Sequence, residues 1–270
     1  MTQRAKLEIL QSGAPQNSVV EIRVSSFNAW FHNNHVLNDI NVSFQRQSIN
    51  CIIGPSGSGK STLIRSINRI NDVVEGFACE GTIHFSGKNI NSKSLETSGL
   101  RTDIGMVFQK PCVFPKSIFD NVLFGLQHLK KLSPQQRGQI VEDNLKRVSL
   151  WKDVSHRLGD QAASLSLGQQ QRLCIARTLA IKPRVILFDE PTSSLDPVSA
   201  GAIESLMLEL KNKYTIIFVT HNIRQAERIA DYLIFMCDGR IIEQGEKEKL
   251  FTAPDKKQTK SYLNDEYCEC

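Results

Sequence analysis

The sequence predicts an α/β fold in which a parallel sheet forms the core, an antiparallel β subdomain precedes it and a helical subdomain is inserted within it. Three observations carry that expectation. Residues 185–188 and 215–220 are apolar runs, as in central parallel strands covered on both faces. Residues 19–24 and 40–44 alternate apolar and polar, the pattern of half-buried antiparallel strands. Between 111 and 182 the pattern turns helical, with strand–loop–helix units on either side.

Taken in order, residues 1–19 are a polar, Gly/Pro-containing stretch expected to be a flexible lead-in, and 20–250 form a single domain. Residues 50–53 make a short apolar run ending in glycines, and a helix is expected over 60–70. Residues 81–85 offer another short strand before the Ser86-Gly87 turn. Within the helical subdomain, about 111–182, the clearest helices are 135–148 and 169–180. Asp196-Pro197 opens a further helix, with a carboxylate at the N-cap and proline at the first helical position. Its Ile203, Leu206 and Leu210 fall on one face. Residues 232–235 and 240–243 read as a hairpin about Asp238-Gly239, and 251–270 as a C-terminal tail.

Apolar residues at 40% and charged residues at 23% exclude disorder, collagen and coiled coil as whole-chain readings. The net charge of +5 comes from scattered Lys and Arg, which does not call for nucleic acid. Seven cysteines form an odd set without paired C-x-x-C spacings. With no signal peptide in the first twenty residues, they read as reduced thiols of a cytoplasmic protein. Cys268 and Cys270 make a lone C-x-C in a stretch expected to be solvated. No apolar run approaches the roughly 20 residues needed to cross a bilayer, so any work at a membrane would go through partners.

Gly54-Pro55-Ser56-Gly57-Ser58-Gly59-Lys60-Ser61, followed by Thr62, fits G-x-x-x-x-G-K-[ST] between a strand and a helix, the context a phosphate-binding loop requires. Glycines let backbone N–H groups curl around phosphates, and the helix N-terminus adds its positive end. Lys60 would reach the β and γ phosphates of ATP and the Ser61 hydroxyl would ligate Mg²⁺. Asp189 and Glu190 end the apolar run at 185–188. Asp189 is placed to hold Mg²⁺ directly or through water, and Glu190 to polarise the attacking water as a general base or orienting group.

Leu165-Ser166-Leu167-Gly168-Gln169, followed by Gln170-Gln171-Arg172, resembles the LSGGQ signature of ABC-transporter ATPases, and lies just ahead of the Asp-Glu strand, where that family keeps it. Gln109 resembles the family's Q-loop glutamine, a metal and γ-phosphate sensor; Ser194-Leu195-Asp196 resembles the D-loop, and His221 the switch histidine. Phe31 stands where an aromatic stacks on adenine, with Trp30 as a close competitor. The resemblance spans about 20–250 and implies a P-loop NTPase fold of the ABC type. It also implies a head-to-tail homodimer, in which two ATPs lie between one subunit's phosphate loop and the other's Ser166, Gly168 and Gln169, with Asp196 at the seam. One position departs from the pattern: Leu167 replaces the signature's first glycine, which is compatible with the site only if its φ is negative and its side chain points away from the phosphate.

A narrower resemblance is to the ATP-binding subunits of bacterial phosphate importers. It is carried by Met106-Val107-Phe108-Gln109-Lys110-Pro111, Phe114-Pro115, Ser117-Ile118, residues 169–177 and Lys256-Lys257-Gln258-Thr259. It implies two integral-membrane permeases, a periplasmic or extracellular solute-binding protein reached through them, and a place at the cytoplasmic face of the membrane. An importer for another solute, such as an amino acid, would share every catalytic motif. An ABC ATPase acting on nucleic acid or the ribosome is the strongest rival; a P-loop phosphotransferase would leave the signature, the D-loop and His221 unexplained, and Glu190 argues against a non-hydrolysing scaffold. Residues 70–163 hold no sustained heptads for the long coiled coil that repair and chromosome versions insert.

Overall fold

The computed structural model describes residues 20–92, 94–127 and 131–264. The expected lead-in at 1–19, His128, and Cys268 with Cys270 lie outside them. Two long strands, β1 (Val20–Phe31) and β2 (Asn34–Gln45), pair antiparallel and bury Ile22, Phe27, Leu37, Ile40 and Phe44. Both exceed the stretches at 19–24 and 40–44. The cause is a bulge: Ser26 and Asp39 adopt φ of 44° and 47° and the register shifts between Val24 and Phe27. The sequence alternation breaks there while the strand continues.

β3 (Ile49–Ile53) is buried throughout and feeds α1 (Lys60–Ile67). That helix stops short of 70 because Asn68 caps it and Arg69 turns to φ 60°. β4 (Phe77–Phe85) and β5 (Lys88–Asn89) complete a four-stranded antiparallel sheet ordered β2-β1-β4-β5. α2 (Thr97–Asp103) runs directly into β6 (Ile104–Val107), a strand that the sequence pattern did not announce.

The helical subdomain holds α3 (Ile118–Leu123), α4 (Pro134–Arg147), α5 (Trp151–Val154) and α6 (Leu167–Ala180). Ser133 and Ser166 start α4 and α6 with capping boxes closed by Gln136 and Gln169. The chain then alternates: β7 (Val185–Asp189), α7 (Pro197–Leu210), β8 (Thr215–Val219), α8 (Ile223–Ile229), β9 (Tyr232–Cys237). β10 (Arg240–Glu246) turns back antiparallel on β9, and α9 (Lys247–Thr252) and α10 (Lys257–Leu263) follow.

The second sheet is ordered β10-β9-β3-β8-β7-β6, with every pair parallel except β10 on β9. Two apolar clusters cover its faces. Ile216 and Phe218 of β8 point into the cluster shared with the helical subdomain, whereas Ile217 and Val219 point into the one shared with β1 and β2. That is why these strands are apolar at successive positions: both faces are core.

Within the expected tail, α10 is tied down. Tyr262 stacks on Phe235 with ring centroids 4.9 Å apart, and Thr259 is buried. The expectation of reduced thiols throughout is corrected at one position. Cys51, Cys79, Cys112 and Cys174 are free, but Cys237, at the end of β9 and 1% exposed, is disulfide-bonded. Among the described residues, no helix is long and apolar enough to cross a membrane.

Candidate active site

Four neighbouring parallel strands, in the order β3-β8-β7-β6, end on the same edge of the sheet. At that edge the strand ends and the connections leaving them carry Gly54 to Lys60, His221, Asp189 with Glu190, and Gln109 respectively. A parallel sheet thus gathers residues far apart in sequence, at the edge where open α/β sheets bind ligands.

The loop after β3 requires its glycines. Gly54 has φ 148°, and a Cβ there would collide with the Met236 carbonyl; Gly59 has φ 92°, and a Cβ would lie 2.7 Å from Leu37. Gly57, at φ 84°, faces open space; Ser56 beside it is exposed and Pro55 half-buried. Lys60 and Ser58 are buried, 5% and 3% exposed. Lys60 Nζ donates to the carbonyls of Gly54 at 2.8 Å and Pro55 at 2.7 Å, and reaches Ser58 Oγ at 3.4 Å. Burial lowers the Lys60 pKa, and the carboxylates of Glu190 and Asp189 work against that shift. A concave loop of backbone donors with a lysine inside, leading into a helix N-terminus, fits a polyphosphate. Thr62, the third residue of α1, lends its carbonyl to Ser66 and Asn71, which holds the start of the helix to the segment beyond it.

Ser61 Oγ donates to Asp189 Oδ1 at 2.6 Å. Asp189 is 1% exposed, and its other oxygen accepts from Arg65 Nε and Nη2 at 3.1 and 2.8 Å. Among the described residues, no group of three or more His, Cys, Asp or Glu could hold a metal by itself. One carboxylate and one hydroxyl instead suit Mg²⁺, which takes few protein ligands and completes its shell with waters and substrate phosphates.

Glu190 follows at φ 46°, a turn that separates its side chain from that of Asp189. Glu190 Oε2 lies 3.0 Å from His221 Nδ1 and accepts from Gln109 Nε2 at 3.4 Å; Gln109 also donates to Ser193 Oγ at 3.1 Å. Glu190 and His221 line a cleft of about 510 Å³ together with Glu204, Gln225 and Arg228. The imidazole of His221 and the amide of Gln109 converge on the Glu190 carboxylate, which itself lines the cleft. That arrangement can orient a water against a terminal phosphoryl group.

The other expected residues lie apart. Ser166 caps α6, accepting from Gln169 N, while Gln169 Oε1 accepts from Ser166 N and its Nε2 reaches Asp153. Gly168 packs so closely on α7 that a Cβ would lie 2.7 Å from Ser199 Oγ. Among the described residues, no hydrogen bond joins Ser166 or Gln169 to the phosphate loop. Leu167 meets the first of the two conditions set by its position, since it is absent from the positive-φ residues, and it is 45% exposed. Asp196 caps α7, its Oδ1 accepting from Val198 N and Ser199 N at 3.0 Å each, and hydrogen bonding, that with Ser199 first, lowers its pKa. Phe31 and Trp30 point to opposite faces of β1. Phe31 tilts against Phe77 at 5.3 Å, and Trp30 stacks on His35 at 4.6 Å.

Sequence reasoning missed two residues. Arg65 reads as an ordinary helix-surface arginine, since nothing local announces an ion pair with a residue 124 positions away. Gln225 is 3% exposed and joins three elements: Thr192 after β7, Thr220 after β8 and Glu204 on α7. Glu204 in turn pairs with Arg228.

Comparison with known proteins gives the family. Two proteins named phosphate import ATP-binding protein PstB 2 are similar along most of their length. The one from Listeria monocytogenes serotype 4b (strain F2365) is 45% identical over 250 residues, covering 93% of this chain and 92% of its own. The one from Shouchella clausii (strain KSM-K16) is 46% identical over 243 residues, 90% of each. The solved structure of cbiO1 from Clostridium perfringens, described as part of the ABC transporter complex cbiONQ, superposes with a TM-score of 0.75 at 31% identity. That superposition covers 87% of this chain and 92% of that one. The family model described as ABC transporter matches residues 37–193, more than half of the sequence, and the chain therefore belongs to the ABC transporter family.

Proposed function

We propose that this chain is the ATP-hydrolysing subunit of a membrane importer and energises uptake of inorganic phosphate through ATP-driven closure of a head-to-tail homodimer. The gathering of Lys60, Ser61, Asp189, Glu190, Gln109 and His221 at one sheet edge carries the catalytic reading. The 45% and 46% identities to phosphate import proteins support the solute.

In this reading the backbone of residues 54–61 cradles the phosphates and Lys60 exchanges its loop carbonyls for the β and γ oxygens. Mg²⁺, when bound by Ser61, Asp189 and Gln109, would neutralise charge developing between the β and γ phosphates. Glu190 orients or deprotonates the attacking water, and His221 holds Glu190 and reaches the γ-phosphate. Phe31 covers the adenine. Ser166, Gly168 and Gln169 of a second copy close over the nucleotide, with Asp196 at the seam. The Ser166 hydroxyl keeps its proton free for that contact, because its cap uses only an oxygen lone pair. Closure excludes water and drives two integral-membrane permeases, which receive phosphate from a periplasmic or extracellular solute-binding protein; no nucleic acid takes part. The chain would then sit at the cytoplasmic face of the membrane.

The test is a pull-down of tagged Glu190→Gln protein with ATP from detergent-solubilised membranes of the source cell. Two multi-span permeases, followed by labelled-phosphate uptake that depends on this chain, are expected. Permeases without phosphate uptake would reassign the solute. Ribosomal or DNA-associated partners alone would end the importer reading.

A further inference from the structure

Ser61 and Arg65 stand one helical turn apart on α1, so both face the same side of the helix. That side meets the end of β7, where the Asp189 carboxylate is 1% exposed. Its two oxygens are divided between two partners. Oδ1 takes the Ser61 hydroxyl at 2.6 Å, and Oδ2 takes both Nε and Nη2 of Arg65 at 3.1 and 2.8 Å. The guanidinium itself is partly open to solvent, its side chain 41% exposed. Two charge-assisted bonds from a rigid planar fork onto one oxygen fix the rotation of the carboxylate. The other oxygen is thereby turned toward Ser61.

We infer that Arg65 is a positioning residue for the metal end of the nucleotide site, holding Asp189 so that Oδ1 and Ser61 Oγ form a ready pair of ligands. This rests on reading Ser61 and Asp189 as the metal-binding pair. Arg65 touches neither metal nor nucleotide in this role. It acts through Asp189, as groups that orient metal ligands do, where loss typically weakens metal affinity about 10- to 100-fold. A lysine would supply one point charge without the fork, and would hold the carboxylate less rigidly.

The experiment measures binding rather than turnover. A fluorescent ribose-labelled ATP is titrated onto Glu190→Gln protein in EDTA and, at fixed nucleotide, against increasing Mg²⁺. Adding Arg65→Ala should raise the Mg²⁺ midpoint about 10-fold and leave the affinity in EDTA unchanged, with Arg65→Lys in between. An unchanged midpoint in Arg65→Ala would reduce Arg65 to a strut between α1 and β7. Equal losses with and without Mg²⁺ would do the same, since a damaged loop weakens both. If Arg65→Ala does not fold, Arg65→Lys carries the test, and an unchanged midpoint there overturns the inference. If the parent Glu190→Gln protein itself shows no response to Mg²⁺, the metal reading of Ser61 and Asp189 fails first and the role of Arg65 falls with it.

Discussion

His221 Nδ1 lies 3.0 Å from Glu190 Oε2, joining the ends of two adjacent parallel strands across 31 residues of sequence. Gln109, from the next strand along, reaches the same oxygen at 3.4 Å. Glu190 is thus held from two sides, which suits a group that must aim a water. Glu190→Gln keeps the shape and loses the base. It should bind ATP, accumulate an ATP-bound dimer on size-exclusion chromatography and lose about 10²- to 10⁴-fold in phosphate release. Near-normal release would remove Glu190 from the catalytic role.

Lys60 is a buried cation with its pKa lowered, first by desolvation. The sign of the linkage follows. When pH is below the folded pKa, both folded and unfolded states hold the proton and the burial penalty is fully expressed. As pH rises from the folded pKa through the unfolded value of about 10.4, the penalty disappears and stability rises. Lys60→Met removes the penalty at every pH. Its melting temperature without nucleotide should exceed that of the parent near pH 7, and the gap should narrow toward pH 10. ATP should no longer stabilise it. A gap that widens with pH would contradict the burial argument.

The two signature positions should respond differently to substitution. Leu167 sits at the first turn of α6 with nothing requiring a glycine, so Leu167→Gly should cost below about 1 kcal/mol of stability. ATP affinity of the monomer should not change, whereas the cooperative turnover of the dimer should. Gly168→Ala, by contrast, meets Ser199 Oγ at 2.7 Å and should lower turnover and melting temperature together, with Ser199→Gly restoring part of both. A large change in monomer affinity on Leu167→Gly would misplace the signature.

What the sequence made legible follows from where the information lies. β3, β7 and β8 stand out because two apolar clusters cover them, and the loop after β3 because its positive-φ positions require glycine. Asp196 was readable from local spacing alone, as the N-cap before Pro197. The full length of β1 was not, because the bulge at Ser26 interrupts the alternation. Four-residue β6 was too short for any periodicity to register. Arg65 and Gln225 could not be found locally at all. Each is a polar helix residue whose role appears only when the parallel sheet brings β7 and β8 beside its helix.

Asn121 ties the segment after Gln109 to the helical subdomain. It is fully buried, and its Nδ2 lies within reach of the carbonyls of Phe114, Lys116 and Ser117 at 3.2, 3.3 and 3.0 Å. Its Oδ1 accepts from Phe114 N at 2.9 Å and from Arg177 Nη1, on α6, at 3.4 Å. One amide therefore shapes the 114–117 turn and links it to the helix that begins at the signature. Asn121→Ala leaves the Phe114 N–H and those carbonyls without their partner, at a cost of about 1–3 kcal/mol. At about 2–4 °C per kcal/mol for a chain near this size, the melting temperature should drop by several degrees. Asn121→Asp should be worse, because its carboxylate oxygens face carbonyl oxygens with no proton to offer. The phosphate loop does not depend on Asn121, so ATP binding should survive the alanine variant. The ABC resemblance implies that residues 111–119 help form the groove that receives a permease helix, so in the assembled importer proposed above uptake per ATP hydrolysed should fall when the 114–117 turn is loosened. A loss of hydrolysis in strict proportion to uptake would assign Asn121 to folding alone.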